Sequence, residues 1–125
     1  MPQVGPNVEI EIRSLGEVRS LGDVKLIKLT GKITLGAAVD RLRENLDELM
    51  DNGTIRIILE LSEVPMIDSS GIGLLVRCMT AAKQRGGAVK LLNPSKFTVQ
   101  TLKMIGLLNL FEVFQAQDEA VASFN

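Results

Sequence analysis

Between Val8 and Arg13 the chain alternates apolar and charged residues, Val8-Glu9-Ile10-Glu11-Ile12-Arg13. A period of two belongs to a strand with one buried and one solvated face. A second strand is expected from Val24 to Thr30. Arg-Ser-Leu-Gly stands twice between them, at 13–16 and 19–22. An echo of six residues is too short for a solenoid repeat and reads as a lengthened hairpin turn. From Gly36 the period changes. Val39, Leu42, Leu46 and Leu49 are three and four apart, with Asp40, Arg41, Arg43, Glu44, Asp47 and Glu48 between them. This is an amphipathic helix with one apolar stripe, and Asn52-Gly53 is its stop. Ile55 to Leu61 is β-branched and nearly continuous, as an interior strand should be.

A second helix is expected to start at Ser69 or Ser70 and end at Gly86-Gly87, burying Ile72, Leu75, Val76 and Met79. Ala88 to Leu92 reads as a strand and Pro94-Ser95 as a loop into a third helix. Phe111 to Gln115 reads as a last short strand, with a helical turn or two over Asp118 to Phe124. Strands alternating with helices after an opening hairpin predict an α/β domain whose sheet is mixed but largely parallel and packed with helices. Residues 1–7, with two Pro and one Gly, read as a flexible tail before a domain spanning 8–124.

Composition narrows the chemistry. The 125 residues include no His, one Cys, no Trp and no Tyr. Ser-His-Asp and Cys-His catalysis and imidazole metal ligation are therefore excluded, and a Cys-rich zinc site is too. No cofactor, metal or catalytic residue is expected, and the chain reads as a non-enzyme. The weakest alternative is a hydrolase built on the Ser/Gly turn, which would have only carboxylates or Lys as its base. The N-terminus lacks the basic-then-apolar pattern of a signal peptide. No apolar run approaches the ~18 residues of a membrane span. A cytoplasmic protein without membrane insertion is the expectation.

Net charge is −1, but its distribution is uneven. From Ser69 to Phe111 there is no Asp or Glu, while Arg77, Lys83, Arg85, Lys90, Lys96 and Lys103 are basic. Such a segment can attract an acidic partner or a phosphate. Equally, Lys83 and Arg85 fall where a helix ends and complement its dipole. Nucleic-acid binding would want a denser patch with stacking aromatics and is not expected. Cys78 is placed in the core as a small hydrophobe, the alternative being an exposed redox thiol.

One stretch carries candidate chemistry: Val64-Pro-Met-Ile-Asp-Ser-Ser-Gly-Ile-Gly-Leu-Leu75. It follows a buried strand and opens a helix, where N–H groups and the dipole favour negative charge. Asp68, Ser69 and Ser70 are all good N-cap types, and plain capping would account for them. Gly71 and Gly73 are poor helix formers in the first turns and would leave bare backbone that a partner could approach. The phosphate-loop and nucleophile-elbow patterns do not occur here.

The succession of elements, with Leu29-Thr-Gly-Lys-Ile-Thr34, the Asp-Ser-Ser-Gly-Ile-Gly-Leu-Leu stretch, Gly86-Gly87-Ala-Val-Lys-Leu-Leu92 and Leu102-Lys-Met-Ile-Gly-Leu-Leu-Asn-Leu-Phe111, resembles the STAS domain family. Its best-known members are bacterial anti-sigma factor antagonists. The resemblance covers residues 8–124 and implies a single STAS domain acting as a partner switch. In that scheme the unphosphorylated protein binds an anti-sigma factor and frees a sigma factor. The anti-sigma factor is often also a serine kinase of the histidine-kinase-like ATPase class, and a serine phosphatase resets the cycle.

By motif alignment the phosphoacceptor is Ser69, with Ser70 the alternative. The implied partner surface comprises Met66, Ile67, Asp68, Ser70, Gly71, Ile72 and Gly73, with Thr34 and Arg77 beside them. Burial at the strand end is the other reading for Met66 and Ile67, and ordinary solvation for Arg77. Thr34 stands where many antagonists carry an acidic residue, which bears on kinase recognition; a helix or turn cap is the other reading for it. The alternative function is a non-switching STAS subunit of a sensory scaffold or a transporter complex. Self-association as a homodimer is left open.

Overall fold

β1 (Glu9–Glu17) and β2 (Asp23–Thr30) pair antiparallel, with Ile12 opposite Ile27 and Ile10 opposite Leu29. The ladder is irregular beyond Ser14. The computed structural model describes residues 8–17 and 22–124. The expected tail at 1–7 and the centre of the hairpin turn at 18–21 lie outside them.

β3 (Arg56–Glu63), β4 (Ala88–Leu92) and β5 (Val113–Phe114) join β2 in parallel, giving a five-stranded mixed sheet in sequential order. Each parallel step is made through a helix: α1 (Ala37–Asp51), α2 (Ser69–Gln84) and α3 (Lys96–Met104). A short 3-10 turn (Leu108–Leu110) precedes β5 and α4 (Gln117–Ala122) closes the chain.

Two cores lie on opposite faces of the sheet, because successive strand residues point to opposite sides. On the larger side Ile27, Leu29, Ile57, Leu59, Leu61, Val89 and Leu91 meet the buried residues of α1 and α2 and Leu102 of α3. On the other, Val24, Leu26, Ile58 and Leu92 are covered by Ala120 and Val121 of α4 and by Phe124. β3 is the strand buried from both sides, which is why Ile57-Ile58-Leu59 shows no alternation.

The helices depart from their expected faces in two places. In α1 the fully buried stripe is Val39, Leu42, Leu46 and Met50, with Leu49 half-buried at its margin. In α2 Ile72 and Leu75 are buried as expected, but Val76 and Met79 are only half-buried, while Leu74, Cys78 and Ala82 are fully enclosed. α2 packs against α1 as well as against β4, so its buried arc is wider than a sheet-facing stripe and rotated toward α1.

Glycine decides the close approach after α2. A Cβ at Gly87 would lie 2.0 Å from the carbonyl oxygen of Ile55, so only a bare backbone lets α2 return to the sheet there.

Candidate functional site

The loops after β2 and β3 emerge at the same end of the sheet and are laced together. Gly31 N–H donates to the Glu63 carbonyl at 3.0 Å, Ile33 N–H to the Met66 carbonyl at 3.0 Å, and Asp68 N–H to the Ile33 carbonyl at 3.1 Å. Asp68 is the N-cap of α2, in extended conformation. Its Oδ1 accepts from Gly71 N–H at 3.0 Å and from Ser70 Oγ at 2.6 Å, and its Oδ2 accepts from Leu35 N–H at 2.8 Å. One carboxylate thus caps a helix, fixes the neighbouring serine and holds a loop 33 residues earlier in the chain. Partial burial pushes its pKa up. The hydrogen bonds from Ser70 Oγ and from the N–H groups of Leu35, Gly71 and Ser70 outweigh that and hold it below the ordinary value of 3.8.

The two serines therefore differ. Ser70 is half-buried with its hydroxyl committed to Asp68. Ser69 is exposed, and among the described residues its hydroxyl has no hydrogen-bond partner. The first-turn donors are largely spent on Asp68: Gly71 N–H reaches its side chain and Ile72 N–H its carbonyl at 3.0 Å. A new anion at Ser69 would meet the helix dipole and a neighbouring carboxylate, not a row of vacant N–H groups.

The two glycines also differ. A Cβ at Gly71 would approach Ile67 Cγ1 at 2.7 Å and Ile33 Cγ2 and carbonyl oxygen at 2.9 Å each. Its bareness serves packing within the chain and leaves no opening for a partner. Gly73 is exposed, with nothing within 4 Å of the Cβ position.

Ile67 and Ile72, at 2% exposure each, are core residues beneath this surface. Met66 is exposed. So is Leu35, at 80% one of the most exposed large apolar residues of the fold, and sequence periodicity did not single it out. It follows the Ile33–Thr34 segment at a point where no regular period runs, so only the loop's attachment to Asp68 brings it to the site. Thr34 is half-buried between these two anchoring residues and does not cap α1, whose N-cap is Gly36.

Arg77 is exposed on the outward face with Gly73, Thr80 and Gln84, but its guanidinium turns to Asp47 of α1 at 3.2 Å. Two more cations of the basic segment are paired: Arg85 with Asp51 at 4.0 Å and Lys90 with Glu112 at 2.8 Å. Lys90 is 5% exposed, donates to Ser123 Oγ at 2.8 Å and lies 4.4 Å from the Phe124 ring centroid, fastening the chain's end to the sheet. Folding thus turns a one-signed stretch of sequence into a mixed surface. Cys78 is 3% exposed between α1 and α2. Burial, then the nearby Asp47, push its thiol up to about 11, against weaker pulls from Arg77 and Arg43, which disfavours the redox reading.

The profile of the STAS domain matches residues 17–120. The chain belongs to the STAS domain family. Over 88 residues this STAS domain is 31% identical to the anti-sigma-B factor antagonist of Bacillus subtilis, covering 70% of this chain and 78% of that one. A Thermotoga maritima relative named for anti-sigma factor antagonism is 28% identical over 75 residues, 60% of this chain and 66% of that one, just under two thirds of its length.

The STAS fold superposes on the unphosphorylated anti-sigma factor antagonist SpoIIAA with a TM-score of 0.76 at 22% identity, covering 92% of this chain and 95% of that one. It superposes on a sulfate transporter family protein from Wolinella succinogenes with a TM-score of 0.68 at 27% identity, covering 86% and 88%. Among the described residues no helix is long and apolar enough to cross a membrane, and no cluster of three or more Cys, Asp or Glu side chains could hold a metal ion.

Proposed function

We propose that this STAS domain is an anti-sigma factor antagonist, a cytoplasmic regulator without catalytic activity, whose binding to an anti-sigma factor is gated by phosphorylation of Ser69. The observation that carries the reading is the free, exposed Ser69 hydroxyl at the start of α2, beside a Ser70 hydroxyl held by Asp68. The names of the sequence relatives support the partner class.

The partner is a serine kinase of the histidine-kinase-like ATPase class, and a serine phosphatase removes the phosphate. The contact surface is formed by Leu35, Met66, Ser69, Gly73 and the turn around Thr34, with Asp68, Gly71, Ile67 and Ile72 setting its shape from below. Arg77, eight residues and so about 12 Å along α2 from Ser69, lies at its margin.

The phosphate brings about −1.5 to −2 charges at neutral pH. Set beside Asp68, whose oxygens are already engaged, it is solvated at the surface. There it places a bulky dianion where the partner would have met a small hydroxyl. The fold need not change for binding to fail. Loss of about 3 kcal/mol at the contact weakens binding by about two orders of magnitude.

The test is phosphopeptide mapping after incubation with Mg-ATP and lysate of the source cell, on wild type, Ser69→Ala and Ser70→Ala. Modification confined to Ser69, retained in Ser70→Ala and lost in Ser69→Ala, is expected. If Ser69 stays unmodified while a known phosphorylated STAS protein in the same lysate is modified, the switch is wrong. The second reading, a constitutive subunit of a sensory scaffold or transporter complex, then takes over. It is favoured by Thr34, which puts no carboxylate where many antagonists have one.

A further inference from the structure

β1 ends the sheet, and among the described residues nothing pairs with its outer edge. It is nine residues long, whereas the opposite edge strand, β5, has only two. A long edge presents unpaired N–H and C=O groups, which natural sheets usually blunt with charge. Here the charges have both signs. Glu9, Glu11 and Arg13 project from one face and Ile10 and Ile12 from the other, as their partners on β2 require. Ile12 is 39% exposed although its opposite number, Ile27, is fully buried. Among the described residues Arg13 has only an exposed contact with Glu11 of its own strand, at 3.4 Å.

We propose that two copies of this chain associate edge to edge through β1, antiparallel about a two-fold axis at Ile12. The two sheets then become one continuous sheet of ten strands.

Charge selects that register. In a two-fold antiparallel pair, opposed residues share a face, so a residue lies on the axis and the others pair symmetrically about it. With Ile12 on the axis, Glu11 of each copy faces Arg13 of the other, giving two cross-strand ion pairs. On the opposite face Ile12 meets Ile12, and each covers the other's exposed surface. Moving the axis to Glu11 pairs Glu9 with Arg13 twice but sets Glu11 against Glu11 between them, and moving it to Arg13 sets Arg13 against Arg13. With Ile10 on the axis, Glu9 faces Glu11 twice. Of these four registers only the one centred on Ile12 gives ion pairs with no like charges directly opposed. With a net charge of −1 per chain, long-range repulsion between copies is negligible.

The inference does not rest on the reading of Ser69, and its test is separate. Sedimentation equilibrium of wild type from micromolar to millimolar concentration is expected to show a monomer–dimer equilibrium. Arg13→Glu places Glu opposite Glu at two positions and is expected to raise the dimer dissociation constant about tenfold. The double swap Glu11→Arg with Arg13→Glu restores both pairs and is expected to bring the constant back near wild type. Both side chains are exposed, and far-UV circular dichroism verifies that each variant is folded. Wild type that stays monomeric to millimolar concentration overturns the proposal. So does a dimer indifferent to Arg13→Glu, or one that the double swap fails to restore.

Discussion

The backbone N–H of Leu35 donates to Oδ2 of Asp68 at 2.8 Å, joining the loop before α1 to the first turn of α2. The same carboxylate accepts from Ser70 Oγ and Gly71 N–H through its other oxygen. The site is thus organised by one aspartate, and the hydroxyl left over is that of Ser69.

Replacing Asp68 removes a cap and a loop anchor together. Asp68→Ala is expected to cost about 1–3 kcal/mol at pH 7, from the lost cap and the stranded Leu35 and Gly71 donors. Ser70→Ala should cost about 1 kcal/mol, and Ser69→Ala nothing measurable. Because the folded chain holds the Asp68 pKa below its ordinary 3.8, the ionised group stabilises the fold at neutral pH. That contribution is lost as pH falls below 4 and through the folded-state value. Urea unfolding followed by circular dichroism at pH 7 and pH 3 is the check. A gap between wild type and Asp68→Ala that does not shrink in acid would sink this account.

Gly71 and Gly73 stand two residues apart and should respond oppositely. Gly71→Ala forces a Cβ against Ile67 and against the backbone oxygen of Ile33, and should destabilise by about 1–3 kcal/mol. Gly73→Ala meets open space in a helix and should stabilise by about 0.5–1 kcal/mol. If the Gly73 surface is where the partner docks, this more stable variant should bind the partner more weakly. Thermal melts and calorimetric titration of the same variant separate the two effects. Tighter binding by Gly73→Ala would remove that residue from the interface.

Cys78 should be inert while the chain is folded. Its thiol, buried and raised to about 11, ionises first in the unfolded chain, so unfolding releases a proton between pH 9 and pH 11. Stability is therefore full below pH 9 and declines as pH rises through 11, and Cys78→Ala should lessen that decline. Labelling by a disulfide reagent at pH 8 should be slow and accelerate in urea in step with loss of the circular dichroism signal. Rapid stoichiometric labelling of the native protein would show the α1–α2 groove to be open.

Most of the architecture was legible in one dimension. Alternation in Val8–Arg13, the spacing from Val39 to Leu46, the unbroken Ile57-Ile58-Leu59 and the stop signals at Asn52-Gly53 and Gly86-Gly87 are local consequences of strand and helix geometry. They yield the element order without knowledge of any partner element. The misplacements in α1 and α2 arise where a helix packs against two neighbours. Which arc is then deepest depends on crossing geometry that no single-helix period contains.

The sequence by itself determined the fold class, the helix start at Asp68-Ser69-Ser70 and the chemistry absent for want of His. Only the tertiary structure decided which serine is free, since Ser70 is taken by a carboxylate that also holds Leu35 from 33 residues away. It also separated Gly71, pressed against Ile33, from Gly73, which faces solvent. And it paired three of the six cations of the basic stretch, Arg77, Arg85 and Lys90, because Asp47, Asp51 and Glu112 come from outside that stretch. Hydrogen bonds, ion pairs and close contacts act over a few ångströms of space, and a linear pattern holds no record of which distant residues will supply them.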